Sequence, residues 1–270
     1  MRSPASACGG CLLRYLAVCV SLTLAGGPAP VSTQSGFETM RIRGQVAIEG
    51  GGPLSGARIR TDAVRGATMS QFAAQREFTA RSARDGEWSI LGITRGLWIL
   101  EVTAPDHLPH VLVVPIAMML QPEPVPWDTS LSLQPVTAVA PVPESATGAG
   151  RLLLDAADLA IAKKDRAARE TLMRLAETSL DARALCAAGD IALVIRDAAL
   201  ARRFFELAAG ADGKWYRPQL GIASAAMLAF DFDTAIKSYA AARAATANKR
   251  LERMLSAAVR DIQQIRTIGK

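Results

Sequence analysis

The chain reads as two domains in series: an antiparallel β-sandwich of about seven strands, then an all-α solenoid of helical hairpins. Three observations carry this. Between residues 40 and 134, small or apolar residues recur at every second position in short runs separated by Gly, Asp and Pro. From residue 150 onward the recurrence lengthens to every third or fourth position. Within that second part Ala201, Phe205 and Ala208 return together, at one common spacing, as Ala235, Tyr239 and Ala242. Ala168, Leu172 and Leu175 stand upstream, one residue short of that spacing. Period two marks strands with one buried face, and period 3.6 marks helices with one buried stripe. A repeat of about 34 residues marks stacked helix pairs.

The sequence has 270 residues, 50% hydrophobic and 21% charged, which is globular in composition and long enough for two modest domains. Its net charge of +6 is spread along the chain without a Lys/Arg block, so no nucleic-acid partner is implied. Residues 1–25 have the pattern of an export signal. Arg2 is followed by the apolar run Tyr15–Leu24 and a small-residue cleavage site at Thr23-Leu24-Ala25. The alternative is an uncleaved anchor, but the run is shorter than the roughly 20 residues a spanning helix needs. Val18 before Cys19 is too large for a lipoprotein signal. The mature chain is expected to have no membrane span and to reside in the periplasm or cell envelope. The Ala/Arg-rich composition suggests a bacterial source. Cys8, Cys11 and Cys19 would leave with the signal. Cys186 alone remains, as a packed thiol in a helix.

Residues 26–39 read as disordered. Residues 40–134 then give the strands. Ile42, Gly44, Val46 and Ile48 alternate with Arg41, Arg43 and Gln45. A turn at Gly50–Gly56 leads into Ala57, Ile59 and Thr61, which alternate with Arg58 and Arg60. Further strands lie at Glu77–Ala80, Trp88–Ile90, Trp98–Val102, His110–Val114 and Thr129–Leu133. Several motifs here are similar to the carboxypeptidase regulatory-like domain, a transthyretin-like sandwich with a carbohydrate-binding-like fold. They are Gly44-x-Val46, Pro53–Ile59, Asp85–Ile90 and Gly96–Leu100 with Val102 and Ala104. The resemblance implies an exported, non-catalytic accessory module. It does not name a ligand, because one sandwich architecture hosts many functions.

Three features of this half are candidates for function. Trp88 and Trp98 are in phase with Ile90 and Leu100, which puts them in the core and not on a sugar-stacking platform. Arg41, Arg43, Arg58 and Arg60 fall on outer faces, forming one stripe if their strands pair. That stripe is either solvated or in contact with an anionic ligand. Asp106, His107 and His110 share one loop. They are too few to hold a metal without other ligands, so no metal or cofactor is expected.

Residues 135–149 form a Pro/Ala-rich linker, and residues 150–270 form the helical half. Its pairs are expected at Arg151–Lys163 with Arg166–Thr178, Asp181–Arg196 with Ala198–Ala209, and Lys214–Phe230 with Asp233–Ala245. An amphipathic helix from Lys249 caps the stack. The pattern resembles tetratricopeptide repeats, without most of their Trp, Gly and Pro landmarks. That resemblance places Arg183, Cys186, Asp190, Leu193, Arg217, Leu220, Ser224 and Met227 on a concave groove that would receive a protein partner. Arg183 and Arg217, one repeat apart, are either a two-rung basic ladder or two solvated side chains. Asp231 is read as a helix cap.

No Gly-rich phosphate loop, nucleophile elbow or His-Glu-x-x-His motif occurs, and the chain has two histidines. The expectation is therefore an exported, non-catalytic adaptor that binds another protein through the helical groove. The alternative is a carbohydrate-binding accessory module working through the sandwich on a glycan.

Overall fold

In a computed structural model of the chain, residues 40–64, 77–117, 127–139, 148–178 and 180–268 are described. The proposed signal, residues 26–39, and most of the polar segment after Thr61 lie outside them. Among the described residues seven strands come first: β1 (Met40–Ile48), β2 (Arg58–Ala63), β3 (Glu77–Arg81), β4 (Glu87–Ile93), β5 (Gly96–Thr103), β6 (His110–Ile116) and β7 (Trp127–Leu133). Eight helices follow: α1 (Val136–Val139), α2 (Ala149–Ile161), α3 (Asp165–Leu175), α4 (Ala182–Val194), α5 (Ala198–Ala211), α6 (Tyr216–Leu228), α7 (Phe232–Ala244) and α8 (Lys249–Ile268).

The strands form two sheets, ordered β4-β1-β7 and β3-β2-β5-β6. Alternation does the local work in β1. Met40, Ile42, Gly44 and Val46 turn inward, while Arg41 and Arg43 stay exposed. Four of the five strand pairings are antiparallel. The pairing of β7 with β1 is parallel, Ile42 opposite Trp127 through Ile48 opposite Leu133. Trp88 and Trp98 are in the core, 4% and 1% exposed. Each large apolar side chain so buried stabilises the sandwich by about 1.5–3 kcal/mol.

Strands β5 and β6 break the alternation. All seven residues of β6 are buried, as are the first seven of β5. A strand with two buried faces needs cover on both. The opposite sheet supplies one cover. The helices supply the other, with α4, α6 and α8 packed against β6 and α8 also against β7. Strands β6 and β7 are edge strands of their sheets, so the helical array closes one open side of the sandwich.

The helical half stacks three hairpins and ends in α8. Asp181, Asp197 and Asp231 cap α4, α5 and α7, accepting from the amides of Ala184, Leu200 and Thr234. Each hairpin turns through one residue in left-handed backbone: Lys163 (φ 59°), Arg196 (φ 62°) and Phe230 (φ 58°). Two of these turns reach the sandwich. Lys163 lies 3.7 Å from Glu101, and Arg196 lies 3.4 Å from Asp62.

The linker expected at residues 135–149 is corrected at its start. The amide of Leu108 donates to Gln134 O, and that of Val136 donates to Asp106 O. Pro135 bridges His107, and α1 follows directly. Residues 134–139 are thus tied to the loop before β6. Sandwich and helices share one continuous core rather than swinging on a tether.

Candidate functional site

The site is the concave face of the hairpin stack, formed mainly by α4 and α6. Small residues make it possible. In α4, every residue from Ala184 to Val194 is buried, and four of them are alanine. The ring of Phe205 on α5 lies where a Cβ on Gly189 or on Gly221 would stand, 2.7 Å away in the case of Gly189. Two glycines, one on each first helix, therefore let α5 wedge between α4 and α6.

Into this face the chain lays its own β6. In an antiparallel pair, alternate amides point away from the partner strand. The outward amides of β6 belong to Val111 and Val113. Val111 N–H donates to Asp190 Oδ1 at 3.2 Å, and Val113 N–H donates to Ser224 Oγ at 3.2 Å. Tyr239 on α7 donates its hydroxyl to Val113 O at 2.7 Å. Pro115, next on that edge, has no N–H to satisfy. Beyond the strand, Ala117 N–H donates to Asp261 Oδ2 on α8 at 3.3 Å. An edge that would otherwise invite pairing with another chain is capped by helix side chains.

A buried polar cluster closes the head of the strand. Arg217 Nη2 donates to Asp190 Oδ2 at 2.8 Å, and Nη1 donates to Ser132 O of β7 at 3.3 Å. Nη1 also sits 2.7 Å from His110 Nε2, while His110 Nδ1 lies 3.2 Å from Asp190 Oδ1. The same Nη1 lies 2.6 Å from His110 Nδ1, so the guanidinium meets the imidazole at both ring nitrogens. Burial, then the Arg217 charge, hold the His110 pKa below its ordinary value, against the pull of Asp190. Burial opposes the charge on Arg217, yet Asp190 keeps its guanidinium pKa above the usual value. Burial pushes the Cys186 thiol up, so it stays protonated.

The predicted groove residues thus face the chain's own strand and not a foreign partner. Asp190, Arg217 and Ser224 are bonded to the sandwich, and Leu193, Leu220 and Met227 are buried. Arg183 and Arg217 do not form a basic ladder. Arg183 lies 3.3 Å from Glu49 and stacks over Trp215, while Arg217 is spent on Asp190. The four sandwich arginines do not form one stripe, because β1 and β2 belong to different sheets. Arg60 is paired with Glu101 at 2.7 Å, Arg43 is 4.0 Å from Asp128, and Arg41 and Arg58 are exposed. His107 and His110 do not converge on a metal position. The first bonds Pro105 O and the second belongs to the cluster above. Among the described residues no group of three or more His, Cys, Asp or Glu is placed to hold a metal ion. The two core tryptophans offer no face to a sugar.

Sequence reading missed Tyr239 and Arg250 as contacts between the two halves. Tyr239 repeats Phe205 one period on, and its hydroxyl is the signal that its ring reaches a polar partner. Arg250 at the start of α8 forks onto Glu87 at 2.7 and 3.0 Å and onto Asp128 at 2.6 Å. The Glu87 and Asp128 hydrogen bonds raise its pKa above the usual guanidinium value.

No family model and no curated protein matches the chain. Among solved structures, the chain is similar to PcrH from Pseudomonas aeruginosa at 19% identity. That match covers 44% of this chain and 91% of PcrH, with a TM-score of 0.36. The type III secretion translocator chaperone SycD of Yersinia enterocolitica matches at 20% identity, over 44% of this chain and 95% of that one, with a TM-score of 0.38. Hydroxyquinol 1,2-dioxygenase from Pseudomonas putida DLL-E4 matches at 12% identity, over 36% of this chain and 56% of that one, with a TM-score of 0.28. At these identities and scores no role passes from those proteins to this chain.

Proposed function

We propose that the chain is an exported, non-catalytic protein-binding scaffold of the bacterial cell envelope. In this reading a sandwich of the carboxypeptidase regulatory-like kind and a tetratricopeptide-like array act as one body. The observation that carries it is the pair of exposed apolar side chains on the outer helices, Met173 and Leu207. The concave face holds the chain's own β6 by its backbone, through Asp190, Ser224 and Tyr239. Because that grip is spent within the chain, partner binding falls to the outer surface. Met173 on α3 and Leu207 on α5 support this. They are large apolar side chains on the outer helices, 41% and 47% exposed. Export rests on the pattern of residues 1–25. No helix among the described residues is long and apolar enough to cross a membrane.

The test is photo-crosslinking in cells, with a photoreactive residue at Met173 or at Leu207, followed by fractionation. The reading expects one protein of the envelope fraction to be captured, and capture to survive Arg183→Glu. Absence of any adduct from both positions, or a chain confined to the cytoplasm, would overturn it.

A further inference from the structure

A cleft of about 440 Å³ between α2 and α3 has mixed lining, with Asp155 and Asp158 beside Lys164 and Arg174, and selects no charge. The cleft beside the start of α8 does select one. Its volume is about 660 Å³, within the few hundred to a thousand that suit small ligands. Four cations line it, Arg43 from β1 and Lys249, Arg253 and Arg260 from α8, against the two carboxylates Asp128 and Glu252. Both carboxylates are engaged at close range, one by a cation outside the lining and one by Lys249 within it. Asp128 is 2.6 Å from Arg250, whose role is to pin α8 to the sandwich, and Glu252 is 2.8 Å from Lys249. Arg43 is left 4.0 Å from Asp128. Glu252 also feels the charges of Arg243 and Arg253, after that of Lys249. A fifth cation, Arg243 of α7, reaches Ser256 in the cleft at 3.4 Å.

We infer that this cleft binds a phosphate-bearing anion carrying at least two negative charges. Arginine forks match phosphoryl oxygens two at a time. Three guanidinium groups from a strand and a helix, Arg43, Arg253 and Arg260, surround one concavity whose carboxylates are already spent. A dianion or a larger phosphate restores the balance. The cleft is separate from the groove, and the proposal stands whether or not the scaffold reading holds.

The experiment uses the purified full chain at low ionic strength. One arm titrates inorganic pyrophosphate by calorimetry. The other sediments phosphatidylcholine vesicles with and without phosphatidylglycerol. The expected result is saturable binding in at least one arm. It should weaken about tenfold or more in Arg253→Gln/Arg260→Gln, the equivalent of one charge-assisted hydrogen bond. The control Arg166→Gln/Arg203→Gln removes the same charge elsewhere and should bind as the parent does. Pyrophosphate binding without vesicle binding identifies a free phosphorylated molecule, and vesicle binding identifies a lipid headgroup. No saturable binding in either arm, or equal weakening in the control, overturns the proposal. Thermal unfolding of both variants shows that the fold is intact.

Discussion

Asp190 and Ser224 stand one repeat apart on successive first helices, and they hold amides two residues apart on β6. One helical repeat is thus matched to one two-residue step of a strand. Ser224→Ala would leave the Val113 amide buried without an acceptor, at a cost of about 1–3 kcal/mol. Urea unfolding measures it, and a loss too small to resolve would mean that the strand finds another acceptor.

Asp190→Ala should cost more, about 3–5 kcal/mol, because it leaves the Arg217 guanidinium buried and unpaired. Adding Arg217→Met removes that charge. The double variant is therefore expected to be more stable than Asp190→Ala alone. Strictly additive losses would show that the two side chains act separately.

His110 ties stability to pH. Its folded pKa lies below the ordinary 6.5, so the unfolded chain takes up a proton that the folded chain resists. The contribution is full above about pH 6.5 and is lost as the pH falls below it. Burial and the charge of Arg217 lower that pKa, and the charges of Asp190 and Glu49 oppose them. Unfolding midpoints at about pH 7.5 and about pH 5.5 should differ more in the parent chain than in His110→Gln. Equal differences would remove His110 from the account.

Phe205 occupies the space that a Cβ on Gly189 or Gly221 would need. Gly221→Ala is expected to cost about 1–3 kcal/mol through overpacking. Phe205→Leu in the same chain should return part of that loss, and a double-mutant cycle by urea unfolding checks the coupling. Zero coupling would place the strain elsewhere.

Phe230 turns the third hairpin with φ 58°, a backbone region that penalises a Cβ. Phe230→Gly should therefore be more stable than Phe230→Ala by about 1 kcal/mol, the reverse of the order inside a helix. Thermal unfolding of the pair decides it.

The seven strands and the helix pairs were legible because each is a local period. Ile42 to Val46 alternate, and Phe205 returns as Tyr239. What fills the groove was not legible, because periodicity says which side chains share a face and not what covers it. His110 read as the start of a strand beside a metal-like neighbour, His107, whereas its partner Asp190 lies 80 residues further on. One signal was present. The run His110-Val111-Leu112-Val113-Val114 does not alternate, and a strand in a free-standing two-layer sandwich should. Its unbroken apolar character marks a strand covered on its outer face. The parallel pairing of β7 had no such mark, since strand direction leaves no period.

The capped edge also sets an order of assembly. The strand is translated 80 residues before Asp190, and Ala117 is translated 144 before Asp261. Until the helices fold against it, the sandwich keeps its stickiest edge bare. The half of the molecule that emerges first is therefore the half that is finished last.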